Sequence, residues 1–516
     1  MFANFKGLGT SSDADAKKYF SDLDKHLKKF HSIQEGDPAL IDMAFSKKKA
    51  DDRKEWLRLF RPGTFMDHSV DKIKISDFIN QELILFSMAD NIRSIPSVVD
   101  GFKPGQRKVL YACFKRNLRA EIKVQSLSGY VSEQTAYHHG EQSLASTIVG
   151  MAQNYVGSNN INLLMPNGQF GTRDKGGKDA ASARYIYTEL SPLARRVFPA
   201  ADDALLKYLD DDGKAIEPEW FTPILPMVLV NGADGIGTGW STSIPCYHPL
   251  EIVENLRRLM RGEEPEVMHP WFRGFTGETA HQGDGKYKIS GKITQIDDDQ
   301  VEITELPVRK WILDTKEYLD AASTPSEKMQ PWITNFEEFH ETNNVHFVIT
   351  VNPKVMPAIL SEGLENRFRL VSSLSTTNMV AFDPEGRIKR YSNPQDILQD
   401  FFHVRLDYYH RRKTYMANDL TQQLEKLSNQ ARFVKMIIDR ELVVSNRKRV
   451  ELVKELKEKK FKPVSKVKIA RDSFDPTEED EEAAGIESAA TSDYDYLLGV
   501  SVRGCLMLNY RWPSGH

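Results

Sequence analysis

The run Gly171-Thr-Arg-Asp-Lys-Gly-Gly-Lys-Asp-Ala-Ala-Ser-Ala-Arg-Tyr-Ile-Tyr-Thr188 sets one tyrosine, Tyr185, directly after Arg184 among glycines and cations. A free phenol ionises only near pH ~10, so a tyrosine used as a nucleophile needs positive charge beside it. Glycines let another backbone or a phosphate come close, and a guanidinium can hold two phosphate oxygens at once. The stretch therefore suits attack on a phosphodiester. Taken alone it suits equally a packed tyrosine beside a solvated arginine, and the choice depends on the rest of the chain.

At 516 residues the chain is too long for one hydrophobic core, and 40% hydrophobic with 28% charged residues describes a folded multidomain protein. Its three cysteines, Cys113, Cys246 and Cys505, are far apart and have no metal-ligand spacing, which excludes a disulfide framework or a zinc site as the organising device. No apolar run approaches the ~20 residues of a membrane span, so no membrane role is expected. The net charge of -4 conceals local asymmetry, because Lys103 to Lys123 carries seven Lys or Arg against one acid, Glu121. This run follows the turn Gly101-Phe-Lys-Pro-Gly105 and opens a helix at Gln106. It is either a solvated face or a surface for a phosphate backbone, with Lys103, Arg107 and Lys108 in front.

Periodicity gives a coarse map. Tyr19, Phe20, Leu23, Leu27 and Phe30 form one stripe of an amphipathic helix capped near Ser12 or Asp13. Alternation predicts strands over 287–296 and 300–305, joined across Asp297 to Asp299, where an acidic turn is the simpler reading than a metal site. From Pro394 to about Lys460 the pattern predicts one long helix. Within it Leu420, Leu424, Leu427, Ala431, Val434 and Ile438 step by fours and threes, as in a coiled-coil seam or a core-facing helix. Residues 476–482 form an acidic linker. Gly235-Ile-Gly-Thr-Gly239 lacks the context of a nucleotide loop; Ile236 between its glycines is either a buried turn residue or a wedge for a base step.

Tyr137-His-His-Gly-Glu141, Gly232-Ala-Asp-Gly-Ile-Gly-Thr-Gly-Trp240, Phe5-Lys-Gly-Leu-Gly-Thr10, Arg93-Ser-Ile-Pro96 and Gly101-Phe-Lys-Pro-Gly-Gln-Arg-Lys108 surround Tyr185. In that order they resemble the breakage and rejoining core of eukaryotic-type DNA topoisomerase II, from about residue 5 to about residue 498. The resemblance implies an α+β multidomain chain: 1–65, the C-terminal part of a TOPRIM domain; 66–222, a winged-helix domain carrying the nucleophile; 223–392, a mixed α/β tower; 393–498, a coiled-coil helix and partial C-gate. A tail, 499–516, has no counterpart in the family.

The same resemblance implies a function: transient cleavage of both DNA strands through a 5′-phosphotyrosyl link, strand passage and religation. Tyr185 would be the nucleophile, with Arg184, His139 and Arg93 at the scissile phosphate and Ile236 and Lys6 among the DNA contacts. It implies double-stranded DNA and a second copy of the chain as partners, a nuclear location, and Mg²⁺ and ATP for the full-length family. The ligands for both are expected outside this chain, which would leave the isolated chain weak or inactive. The alternative is a silent DNA-binding remnant of the same family. A tyrosine recombinase would need several dispersed arginines, and the histidine and Lys-Gly-Leu-Gly-Thr motifs argue against it.

Overall fold

The computed structural model describes residues 12–67, 69–137, 140–325, 330–341, 344–444, 447–463 and 494–498. Lys6, His138, His139, the acidic linker and the 499–516 tail lie outside the described residues. The chain divides into two compact units, one running to Ala200 and again over Leu206–Leu406, the other formed by Ala201–Leu205 with the chain from Asp407 onward.

The first helix, Asp13–Ser21, begins at a capping box in which the Ser12 side chain accepts from the Asp15 amide and the Asp15 carboxylate accepts from the Ser12 amide. It is shorter than its apolar stripe suggests. Asp22 leaves the helical region, a four-residue turn Leu23–His26 follows, and Lys29–Phe30 is a strand. Phe20, Leu23, Leu27 and Phe30 are all exposed among the described residues, so the stripe does not form the buried face of a single helix.

A helical block carries Tyr185. Helices Pro104–Lys115, Val124–Gln134 and Glu141–Ala152 pack on one another, and two short strand pairs lie beside them: Ile122–Lys123 with Tyr187–Thr188, and Tyr208–Asp211 with Lys214–Pro218. Proline at the first turn of Pro104–Lys115 costs no hydrogen bond there, and the Lys103 amide is capped by Gln106. The chain reaches that helix through Gly101, at φ 74°, where a Cβ would stand 2.4 Å from the Val228 amide nitrogen. Only glycine meets both demands. Beneath lies an aromatic nest in which Phe102 stacks on Phe198 and Phe221 meets Phe114 and Phe198 edge-on.

The sheets depart from the alternation in one instructive place. The single strand expected over 287–296 is two, Lys286–Ser290 and Lys292–Gln295, in different antiparallel sheets. Lys286–Ser290 lies between Glu278–Gly283 and Val371–Ser375; Lys292–Gln295 edges a sheet that continues through Gln300–Glu305, Phe347–Val351 and Ile333–Glu338. The switch is at Gly291, where a Cβ would be 2.3 Å from the Glu305 carbonyl oxygen and the amide donates to Leu370. Val301, Ile303, Phe347, Ile349 and Val351 bury one face of the larger sheet against Leu319 of helix Ile312–Ser323, with Trp332 and Phe368. Asp297 to Asp299 form the turn that joins its first two strands, with the Asp298 amide bonded to the Asp297 carboxylate.

The long helix is Pro394–Ile438 and stops well short of residue 460. The cause is local. Arg440 adopts φ 61°, and the Glu441 amide reaches back to the Met436 carbonyl, a left-handed cap. Arg449–Glu458 then forms its own helix, and in the second unit Phe433, Leu442, Val453, Leu456, Phe461, Tyr494 and Leu497 make one core. Leu420, Leu424 and Leu427 stand exposed, so the middle of the expected seam faces solvent among the described residues.

Candidate nucleic-acid interface

The loop around Tyr185 is fixed from below and open above. Ile186 and Thr188 are buried while Tyr185 and Tyr187 face out, the two-residue alternation of extended chain. The Ile186 carbonyl accepts from Val124 and the Ala183 carbonyl from Gln125, which ties both sides of Tyr185 to the start of helix Val124–Gln134. Its side chain is 70% exposed. The Arg184 guanidinium carbon stands 5.7 Å from the Tyr185 ring centroid, beside the ring and unpaired with any carboxylate among the described residues. The structure thus joins an accessible phenol to an uncommitted cation.

Upstream, the loop closes on itself. Thr172 donates both its amide and its hydroxyl to Asp179, at 2.9 and 2.7 Å. Burial works against the Asp179 carboxylate, but the two Thr172 hydrogen bonds outweigh it and hold its pKa below the ordinary value. A Cβ on Gly171 would lie 2.5 Å from Gly177, and one on Gly177 would lie 2.4 Å from the Gln153 amide, so the glycines permit packing here. A Cβ on Gly176 would sit 2.3 Å from the Trp311 ring. Arg173, 6% exposed, pairs at 2.5 Å with Glu305, 3% exposed, and also donates to the Leu306 carbonyl. The other Glu305 oxygen accepts from the Thr276 amide and hydroxyl.

A second group gathers on the hairpin of Ala233–Ile236 and Ser241–Ile244. Ile236 is 85% exposed. The glycines beside it are there for close approach: a Cβ on Gly235 would be 2.0 Å from the Ser94 carbonyl, and one on Gly237 2.2 Å from the Asn91 side chain. The hairpin is thereby pressed onto the end of helix Ile84–Ser94, which carries Arg93. Arg93 pairs with Asp90 at 2.8 Å, and the other Asp90 oxygen accepts from Thr238. Lys103 donates to the Asp234 carbonyl at 2.6 Å, at the base of the hairpin; burial lowers its pKa and the Asp234 charge partly offsets this. The structure therefore brings Arg93, Lys103 and Ile236 into one group and Arg184 with Tyr185 into another.

Two expectations are corrected. Arg107 is buried and its fork closes on Asp100, with bonds of 2.7 and 3.0 Å, while Asp100 also accepts from the Phe221 amide. Lys108 spends its ammonium on the Thr135 carbonyl and the buried Glu217 carboxylate, at 2.6 and 2.7 Å. Both face inward from helix Pro104–Lys115 and neutralise internal acids, so neither presents charge to a phosphate backbone. His139 and Lys6 fall outside the described residues.

Residues 305 to 313 were not singled out from sequence, although their basic and aromatic pattern, Pro307-Val-Arg-Lys-Trp311, was visible. Here Arg309 pairs with Asp234 at 2.7 Å, and the Leu313 amide donates to the Asp174 carbonyl. Lys310 donates to the Arg369 carbonyl at 2.6 Å; burial, aided by the Arg369 charge, pushes its pKa down to about 8. Because that value lies below the ordinary 10.5, the unfolded chain binds more protons between them, and stability should rise as pH climbs from about 8 toward 10.5. Lys310→Met should flatten that rise relative to wild type in melting curves taken at about pH 7 and about pH 10; parallel slopes would contradict it.

Cys113 and Cys246 are buried, and burial pushes both thiols up to about 12, so neither is poised as a nucleophile. Among the described residues no group of three or more His, Cys, Asp or Glu side chains could hold a metal ion, and no helix is long and apolar enough to cross a membrane.

Comparison with known proteins places this geometry. The family model described as DNA gyrase/topoisomerase IV matches residues 93–503, and that of the C-terminal associated domain of TOPRIM matches 2–91. DNA topoisomerase 2 of Saccharomyces cerevisiae is 54% identical, with 96% of this chain and 36% of the relative covered. That of Arabidopsis thaliana is 47% identical, with 96% and 35% covered. The chain thus spans about a third of the length of such relatives. The solved DNA-binding, cleavage and re-ligation domain of Plasmodium falciparum topoisomerase II superposes with a TM-score of 0.81 at 44% identity, over 96% of this chain and 67% of that one.

Proposed function

This chain belongs to the type II DNA topoisomerase family, and from that premise we propose that it is a DNA breakage and rejoining core acting through Tyr185. The Tyr185 phenolate oxygen attacks a backbone phosphorus, the bond from phosphorus to the adjoining 3′ oxygen breaks, and that oxygen leaves as a hydroxyl once protonated. The product is a 5′-phosphotyrosyl ester. Its bond is close in energy to the one broken, so the freed hydroxyl can reverse the step and reseal the strand. Arg184 meets the charge that grows on the equatorial oxygens, and Arg93 would reach the same phosphate by exchanging Asp90 for it. Ile236 wedges between base steps and bends the duplex toward the nucleophile.

The observation that carries this reading is the pairing of an exposed phenol with an uncommitted guanidinium on a loop pinned at its base. The proposal extends to two copies of the chain, each cutting one strand, to strand passage driven by ATP in the full-length protein, to Mg²⁺ and to a nuclear location. Mg²⁺ would supply charge at the leaving oxygen. The described residues offer no donor set that fits it, and no step above is routed through it.

Plasmid relaxation with Mg²⁺, using this chain complemented by the N-terminal part of the Saccharomyces cerevisiae relative, tests the proposal. Relaxation, with DNA bound to protein after denaturation, is expected. Duplex retention with neither outcome would favour a silent DNA-binding role. Arg184→Lys should lower the trapped fraction by about 10²-fold or more, because a point charge cannot replace the fork, while duplex affinity in a gel shift changes little. Equal trapping by the lysine variant would remove Arg184 from the mechanism.

A further inference from the structure

The Tyr185 loop and the Ile236 hairpin share one neighbour. The segment from Glu305 to Leu313 holds the loop at three points: the buried pair of Glu305 with Arg173, the Trp311 ring against Gly176, and the Leu313 amide on the Asp174 carbonyl. It holds the hairpin at one, through Arg309 and Asp234 at 2.7 Å. Asp234 is two residues from Ile236, and its remaining side-chain oxygen accepts from Ser243 on the facing strand.

The segment between these contacts is stiff. Arg309 sits at φ 66°, left-handed backbone that a non-glycine residue keeps only when its surroundings hold it there. A turn bond from the Lys310 amide to the Pro307 carbonyl closes it. Val308 abuts Gly157, whose Cβ would be 3.3 Å away, Lys310 is tied to the Arg369 carbonyl, and Trp311 meets Tyr155 edge-on at 6.0 Å. A displacement of Asp234 has little slack in which to dissipate before it reaches Gly176 and Arg173.

We propose that residues 305–313 couple the Ile236 hairpin to the Tyr185 loop, with Arg309 as a positioning residue, so that a duplex bent over Ile236 orders the loop for attack. This deepens the topoisomerase reading and rests on it. The coupling is reciprocal by linkage, and it lives in the ion pair of Arg309 with Asp234, which is half exposed and can be altered without opening the core.

The test reads two signals on the whole chain: bending of a short duplex by energy transfer between end labels, and deuterium exchange of the amides in 171–181. Wild type is expected to bend the duplex and to slow exchange in that segment by about fivefold or more, within the usual range of coupling. Ile236→Ala should bind without bending and without the slowing. Arg309→Gln, and Asp234→Asn from the other side, should bend the duplex as wild type does and lose the slowing. Slowing retained in both variants would overturn the proposal, as would loss of bending in them, which would make the pair a brace for the hairpin alone. A wild-type chain that neither binds nor bends the duplex would instead overturn the functional reading, and the coupling with it.

Discussion

Replacing Tyr185 with phenylalanine is expected to eliminate covalent capture of DNA while leaving duplex binding intact. The two side chains differ by one hydroxyl, and the ring makes its contact with Arg184 in either case. At 70% exposure the phenol supports nothing in the core, so stability should move by less than about 0.5 kcal/mol, as for other surface changes. Loss of a covalent nucleophile, by contrast, removes the reaction outright, because no neighbouring group offers the same chemistry at the same place. Tyr187 is the control. It lies on the same side of the chain, pairs with Lys123 across two short strands, and is half as exposed; Tyr187→Phe should keep capture. Denaturing gels of labelled duplex read both variants, and adduct persisting in Tyr185→Phe would refute the assignment.

The largest stability effect is expected at Arg173, a residue with no direct part in the chemistry. Arg173→Ala strands the Glu305 carboxylate at 3% exposure, leaving one oxygen with the Thr276 donors and the other without its cation. Breaking a buried pair from one side costs about 3–5 kcal/mol, far more than the pair contributes when formed. Glu305→Gln should cost less, because a neutral amide keeps the shape and can still accept from Thr276. Replacing Arg173 with Met and Glu305 with Leu together should recover much of the loss, since the uncompensated charge disappears. Urea unfolding followed by fluorescence reads the series. Arg173→Ala within about 1 kcal/mol of wild type would mean that water or relaxation rescues Glu305.

Tyr185 and Ile236 were legible because each motif is contiguous and its glycines mark close approach; the structure names what approaches, Gly177 for Gly171 and the Ser94 carbonyl for Gly235. The α+β multidomain class followed from the mixture of long helix and alternating strands. The charge of Arg107 and Lys108 misled for a physical reason. Their partners are Asp100, whose acid lies before the basic run, and Glu217, more than a hundred residues downstream, and sequence spacing carries no sign of that meeting. Gly291 shows the same limit. The alternation around it is unbroken, and only the Glu305 and Leu370 backbones, brought in by the fold, force a change of sheet there. The long helix ended early because a left-handed Arg440 broke it where the apolar period alone would have continued. Arg309 and Trp311 were overlooked because their meaning lies in Asp234 and Gly176, which no local pattern joins to them.

The most direct test of the central claim is the chemical identity of the captured residue. Duplex DNA trapped by the complemented chain with Mg²⁺ is digested to a nucleotide stub, the protein is cut with trypsin, and the adducted peptide is fragmented by mass spectrometry. Cleavage after Arg184 releases a peptide that begins at Tyr185 and also contains Tyr187, so fragment ions distinguish the two. A nucleotide esterified to Tyr185 through its 5′ phosphate is the expected result; a nucleotide on Tyr187, on any other residue, or on none would contradict the account.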